Sequence, residues 1–273
     1  MNDHTSTPIV TALYVPGDRP DRFEKAATSG TQLVIVDLED AVAPDRKALA
    51  RDEVVTWLSS RSFDSVAIEV RVNAGDADDL AAVAALDPAV GIRVPKVEIA
   101  DDLDEVASIV GSDRAIAALV ETAVGVESLS AIASHSSVTS ISLGEADLTS
   151  DLGSHDDAVL DWVRIRLLVA TRAAGLPAPM MSVYPAIGDL DGLRAATERG
   201  RDMGFVGRTA VHPSQLPVIA AAFRPSADDI AWATDVLELT ASGGVGRLPS
   251  GDMVDPAMRG RAERILSLAA ATT

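Results

Sequence analysis

Two acids stand at matching points of one stretch. Between Ala117 and Gly153 the chain contains A-L-V-E-T-A-V-G-V-E and then I-S-L-G-E-A-D-L-T-S-D-L-G, two apolar runs that end at Glu121 and just before Asp147. A short apolar run bounded by turn residues and followed by a helical segment fits a buried strand of a parallel sheet. Ala115–Val120 and Val138–Leu143 are expected as two such strands, with Gly125–Ser134 as the crossover helix. Neighbouring strands lie about 4.8 Å apart, so carboxylates at two adjacent strand ends can share one cation. Mg²⁺ suits such a pair, because it takes one or two carboxylates and completes its shell with substrate oxygens and water. The competing reading is that Glu121 caps a helix and Asp147 lies in a solvated loop.

The elements that must position this pair follow from the rest of the chain. Strands are expected at Thr11–Val15, Leu33–Val36, Val66–Val72, Ile92–Pro95, Pro179–Tyr184 and Phe205–Val211, besides the two above, with a helical pattern after each. Regular alternation implies a parallel sheet. Eight such units in roughly 220 residues suit a TIM (β/α)8 barrel; a doubly wound open sheet is the alternative, and no Gly-rich phosphate fingerprint follows the first strand. Residues 1–223 are expected as the barrel. Residues 224–273 form a short helical extension, with helices at Ala227–Thr240 and Met258–Ala270 around a Gly- and Ser-rich loop, Ser242–Asp252, packing on the barrel or on a neighbouring subunit.

Composition narrows the function classes. The 273 residues are 47% hydrophobic but only 3% aromatic, so the core is expected to be Val, Ile, Leu and Ala. A formal charge of −18 argues against non-specific binding to nucleic acid or anionic membrane. Cys is absent, which removes disulfides and a thiolate nucleophile. No apolar run approaches a membrane span and M-N-D-H-T-S-T-P lacks signal-peptide features, so a cytoplasmic protein is expected.

Barrel enzymes carry their chemistry at the C-terminal ends of the strands. Those positions hold Arg19, Asp37-Leu38-Glu39-Asp40, Arg71, Lys96, Glu121, Asp147, Tyr184 and His212. Two acids with Arg and Lys around them suit an anionic carboxylate substrate on Mg²⁺. Arg71 ends an apolar strand, where an unpaired guanidinium is costly. It is either an ion pair with Asp37 or Glu39, or a bidentate clamp on a substrate carboxylate. Lys96 is a phosphate contact, a solvated charge or, if desolvated, a Schiff-base lysine. His212 before Pro213 reads as a turn brace.

These residues sit in motifs that resemble the HpcH/HpaI aldolase–citrate lyase superfamily, in its citrate lyase β-subunit-like branch. L-Y-V-P-G-D-R-P-D-R-F-E-K-A, V-I-V-D-L-E-D-A-V-A-P-D-R-K, E-V-R-V-N, V-P-K-V-E, L-V-E-T-A-V-G-V, L-G-E-A-D-L-T-S-D-L-G and G-F-V-G-R-T-A-V-H-P-S-Q recur in family order from Leu13 to Gln215. The resemblance implies a Mg²⁺-dependent carbon–carbon lyase, or its condensing reverse, on a citryl-, malyl- or citramalyl-CoA. It implies Glu121 and Asp147 as metal ligands. Arg71 and the segment Gly144, Glu145, Ala146, Asp147 would bind the keto acid, and Arg19 and Lys96 the CoA. Asp255, in G-D-M-V-D-P, matches an acid that relatives deliver from a neighbouring subunit as proton donor or acceptor, and the assembly implied is a trimer. Glu39 joins Arg71, Glu121 and Asp255 in the catalytic set. Two departures stand out: Pro256 directly follows Asp255, and acids that many relatives carry around strand seven are replaced by Met181 and Ala186. The alternatives are a CoA-independent class II aldolase on 2-keto-3-hydroxy acids and a catalytically silent assembly subunit.

Overall fold

Each apolar run becomes one strand and each following amphipathic segment one or more helices. The structure is a computed structural model that describes residues 7–62, 65–241, 243–248 and 250–272. Residues 1–6, on which the signal-peptide expectation rests, lie outside the described residues, as do Ser242 and Pro249 of the Gly/Ser-rich stretch. In chain order the elements are β1 (Thr11–Pro16), α1 (Pro20–Ala27), β2 (Leu33–Asp37), α2 (Lys47–Ser59), β3 (Ala67–Arg71), α3 (Ala77–Ala84), β4 (Val90–Val94), α4 (Asp102–Val110) and β5 (Ile116–Val120). They continue with α5 (Ala123–Glu127), α6 (Leu129–Ala133), β6 (Val138–Leu143), α7 (Glu145–Leu152), α8 (Asp157–Ala173), β7 (Met180–Met181), α9 (Leu190–Met203), β8 (Gly207–Ala210) and α10 (Leu216–Phe223). The extension holds α11 (Ala227–Leu239), β9 (Gly246–Arg247), β10 (Met253–Val254) and α12 (Arg259–Ala271).

The first eight strands are all parallel, in the order β6-β5-β4-β3-β2-β1-β8-β7. The TIM barrel is therefore nearly closed, with one seam between β6 and β7. β7 keeps only two of its six expected residues, because Pro179 and Pro185 bracket it and proline donates nothing to a ladder. Ser182 bridges the seam instead: its Oγ donates to the Leu143 carbonyl at 2.5 Å.

The expected aliphatic core surrounds the barrel, where the outward faces of the strands meet the helices, with Phe23, Phe205 and Phe223 among the largest fully buried side chains. Inside, the expectation of an all-aliphatic filling fails. Ala12, Leu33 and Ile35 fill the lower interior beside Tyr14 and Met180. Register then places Glu69 next to Ile35, and Arg93 next to Arg71. One layer above the apolar floor, the interior is charged.

Two further corrections concern segments with few apolar residues. The G-E-A-D-L-T-S-D-L stretch forms α7, closed by Gly153 in a left-handed cap, so Asp147 lies in a helical first turn rather than a loop. β9, in the Gly/Ser-rich stretch, pairs with β10 just after it as a short antiparallel hairpin. The extension has a small apolar cluster of its own, built on Ala233, Val236, Leu248, Val254 and Ala262. Its last helix also joins the barrel: Leu268 enters the main core, and Gln32 Nε2 donates to the Ala271 carbonyl at 3.0 Å. Among the described residues no helix is long and apolar enough to cross a membrane.

Because the Ser182 hydroxyl replaces a ladder bond at the seam, Ser182→Ala is expected to lower stability by about 1 kcal/mol. Urea denaturation measures it, and an unchanged midpoint would show that the seam needs no bridge.

Candidate active site

Glu121 immediately follows β5 and is almost wholly buried. Its Oε1 accepts the backbone N–H of Lys96 at 2.8 Å. Lys96 reaches that position in the left-handed region, φ 54°, the only described non-glycine residue with positive φ. Such a backbone costs on the order of 1 kcal/mol or more and persists only where its surroundings enforce it. Two contacts do so here: the amide on Glu121 and an ion pair from Lys96 Nζ to Glu39. Gly144, which caps α7, packs against the same carboxylate. A Cβ there would stand 2.2 Å from Glu121 Oε2, so only glycine fits.

Asp147 is exposed on the first turn of α7 and, with Glu121, Gly144 and Ala146, lines a cavity of about 90 Å³ at the mouth of the barrel. Burial, with the charges of Glu39 and Asp147 adding to it, pushes the Glu121 carboxyl up to about 7 despite the Lys96 amide. A nearby cation would relieve this. No cluster of three or more His, Cys, Asp or Glu suited to a metal occurs among the described residues. The protein thus offers a pair, which fits Mg²⁺ with positions left for substrate oxygens and water.

Arg71 ends β3 in the same wall. Its Nε and Nη2 hold both oxygens of Asp37, at 2.7 and 2.6 Å, and its guanidinium carbon lies 5.0 Å from the centre of the Tyr14 ring. The structural ion pair is therefore present, and the fork is already engaged. Nη1 is left to face the cavity, 3.2 Å from Asp40 and 3.0 Å from Glu39 Oε2, the latter without hydrogen-bond geometry. Burial opposes the Arg71 charge, but Asp37, Tyr14 and Glu39 outweigh it and raise its pKa. Burial likewise raises the pKa of Glu39, against the opposing pull of Lys96 and Arg71. The loop carrying Glu39 is fixed from below by Lys47, whose Nζ donates to the Leu38 and Glu39 carbonyls at 3.0 and 2.9 Å.

A larger cavity of about 750 Å³ adjoins this wall through Tyr14, Asp37, Asp40 and Arg71. Arg19 at the N-cap of α1, and Arg22 and Lys25 along it, line it, with His212 on the β8 side. Its size suits a long, bulky arm and its cations suit phosphate.

A family model described as HpcH/HpaI aldolase/citrate lyase matches residues 11–213, and a second, for a carbon–carbon bond lyase of the TIM-barrel fold, matches residues 178–272. The chain belongs to the HpcH/HpaI aldolase/citrate lyase family. It is 40% identical over 234 residues to a (3S)-malyl-CoA thioesterase of Cereibacter sphaeroides, covering 83% of this chain and 81% of the relative. It is 29% identical to an L-malyl-CoA/β-methylmalyl-CoA lyase of the same species, covering 82% of each. Its fold superposes on the crystal structure of CitE from Mycobacterium tuberculosis in complex with magnesium, acetoacetate and coenzyme A, with a TM-score of 0.80 and 33% identity over 96% of this chain and 98% of that one.

Within this family member the remaining expected residues are placed as follows. Glu145 turns away from the cavity to hold Arg164 at 2.8 and 2.5 Å, leaving Gly144, Ala146 and Asp147 at the wall. Arg19 holds Asp21 at the rim of the larger cavity, and Lys96 is not among the residues lining it. His212 caps a short helical turn, accepting from Ser214 N at 3.2 Å, as a turn brace should. Asp255 accepts from Ala257 N at 2.9 Å and lines neither cavity. At strand seven, Met181 sets its sulfur 3.2 Å from Nη2 of Arg208. With no ion pair among the described residues, burial pushes the Arg208 guanidinium down to about 10 against the opposing charge of Glu145. Sequence reading missed Lys47, Arg93 and Arg208. Arg93 and Arg208 carried the signal that singled out Arg71, a lone charge inside an apolar strand.

Since Glu121 must lose its proton to bind a cation, Mg²⁺ affinity is expected to rise about tenfold between pH 6 and 8. Calorimetry in buffers of differing ionisation heat would register the released proton near neutrality. A pH-independent affinity would remove Glu121 from the ligand set.

Proposed function

We propose that this chain is a Mg²⁺-dependent carbon–carbon lyase that cleaves, or in reverse forms, a 3-hydroxyacyl-CoA such as citramalyl-, malyl- or citryl-CoA. The observation that carries it is the buried Glu121 beside Asp147 in a small cavity that adjoins, through Tyr14, Asp40 and Arg71, a larger one lined by Arg19, Arg22 and Lys25. Glu121 and Asp147 would hold the Mg²⁺, which supplies Lewis-acid polarisation of the keto oxygen. Arg71 Nη1 and the N–H groups of the first turn of α7 orient the keto-acid carboxylate. Arg19, with Arg22 and Lys25, anchors the CoA phosphates; Lys96, expected beside it, keeps its ammonium on Glu39. Cleavage leaves an acyl-CoA enolate that needs a proton. Asp255 is the proton carrier, supplied by a second copy, because within its own chain it lines neither cavity. Residues 224–273 then act as a lid on a neighbour in a homo-oligomer, a trimer by family resemblance, and the enzyme works in the cytoplasm. The exposed apolar face of α8 (Trp162, Ile165 and Val169) and the exposed Val245 and Met253 near the hairpin support such association.

The relative at 40% identity favours a second reading, thioester hydrolysis at the same site. Turnover of the three acyl-CoAs with Mg²⁺ separates them: lysis yields acetyl-CoA and a keto acid, hydrolysis a free CoA thiol. Glu121→Gln is expected to abolish turnover and Mg²⁺ binding while the fold remains. A wild-type enzyme that releases only thiol would reject the lyase.

Sharing of the site is tested by complementation. Asp255→Ala and Glu121→Gln homo-oligomers are each expected to be inactive, and mixed, reassembled subunits to regain part of the activity. Mixtures that exchange subunits yet stay dead would place Asp255 outside the reaction.

A further inference from the structure

The small cavity does not end at the metal pair. One inward layer down the strands, two residues below Glu121 and Gly144, it is lined by Leu119 and Ser142, and around them stand Arg93, Thr209 and Tyr14. Arg93 is 6% exposed. Its Nε and Nη2 hold a single oxygen of Glu69, at 2.9 and 2.7 Å, and its Nη1 donates to Ser142 Oγ at 2.8 Å. Gly91 opposite leaves the room for this: a Cβ there would stand 3.1 Å from Glu69 Cγ.

Filling a barrel interior does not explain such a pair. Replacing a buried ion pair by apolar side chains of similar volume is often neutral or stabilising. The donors are also in excess of what the protein uses. A guanidinium carries five N–H groups; two donate hydrogen bonds here, and Nη2 adds only an ion-pair contact to Glu69. Ser142 accepts from Arg93 and so keeps its own proton to give. The Tyr14 and Thr209 hydroxyls have no protein hydrogen-bond partner among the described residues, and both face the cavity. The Arg71 charge acts against that of Arg93, as expected of two cations sharing one wall. This layer is equipped for an anion it does not contain within the chain.

We propose that Arg93, with Ser142, Thr209 and Tyr14, is a specificity subsite for a second carboxylate on the keto-acid half of the substrate. The chain then acts on acyl-CoAs that cleave to a four-carbon keto diacid in preference to those that cleave to a keto monoacid. This rests on the lyase reading above. A keto acid that engages the Glu121–Asp147 pair through its carboxylate and keto oxygens has only its remaining substituent to send inward. A methyl group there would offer the cavity-lining donors no acceptor, and sites built around such donors reject the analogue lacking the acceptor strongly. Arg93 acts on binding and selection, not on the bond that breaks.

The test compares oxaloacetate and pyruvate binding to the Mg²⁺-loaded full chain by calorimetry. Wild type is expected to bind oxaloacetate at least tenfold more tightly. Arg93→Lys keeps a charge for Glu69 but loses the fork, and is expected to weaken oxaloacetate at least fivefold more than pyruvate. The pair replacement Glu69→Leu with Arg93→Met removes both charges at once and is expected to erase the preference, which covers the case of a single variant that fails to fold. Equal wild-type affinities, or variants that weaken both acids in parallel, would overturn the subsite while leaving the lyase intact. A wild type that binds neither acid in a Mg²⁺-dependent way, and turns over no acyl-CoA, would overturn the lyase reading and the subsite with it.

Discussion

The carboxylate of Glu121 is held in a place where a carboxylate is unwelcome, and the strand ends around it are arranged to keep it there. One hydrogen bond, from the amide of Lys96, fixes its orientation at the cost of a left-handed backbone. That backbone is in turn secured by the ammonium of the same residue on Glu39. Glu39 approaches Arg71, Arg71 is clamped by Asp37, and Tyr14 lies under the guanidinium. A continuous chain of charge thus links the ends of β2, β3, β4 and β5. A change at any member shifts the electrostatics at the others, because the interior screens charges far less than water does.

The fold was legible because its signal is repetitive. Eight aliphatic runs, each followed by an amphipathic helix, leave few topologies, and the strand ends then nominate the site residues. What sequence could not resolve is how charges pair. Arg71 offered two fates from the same position, and only the register of β2 with β3 decides that Asp37 takes its fork. Lys96 read as a phosphate contact, a solvated charge or a Schiff-base lysine, and by resemblance as a CoA contact. Its role depends on a positive φ that no propensity suggests for lysine. Helix α7 was missed because its sequence is mostly small and acidic, with Leu148 its only buried residue. The hairpin of β9 and β10 is too short for any strand pattern to register.

Strand seven shows how a local substitution spreads. Met181 faces Arg208, and its thioether accepts only weakly from Nη2. The other donors of Arg208 reach the Ser182 and Ala196 carbonyls at 3.3 Å, and Nε finds no partner. The cation is buried without an ion pair among the described residues, and Glu145 is the carboxylate whose charge favours it.

The seam between β6 and β7 has a meaning beyond closure. Every other strand junction is locked by backbone bonds whose geometry forbids gradual change, whereas this one relies on a side chain and on loop segments flanked by prolines. It is the part of the circumference that can widen, narrow or change chemistry without breaking register elsewhere. Evolution working on such a barrel would find its cheapest adjustments of pocket shape there, in the stretch where Met181, Ser182 and Val183 meet the cavity wall. The incomplete ring thereby separates the parts that must stay fixed to hold a cation from the part free to follow a new substrate.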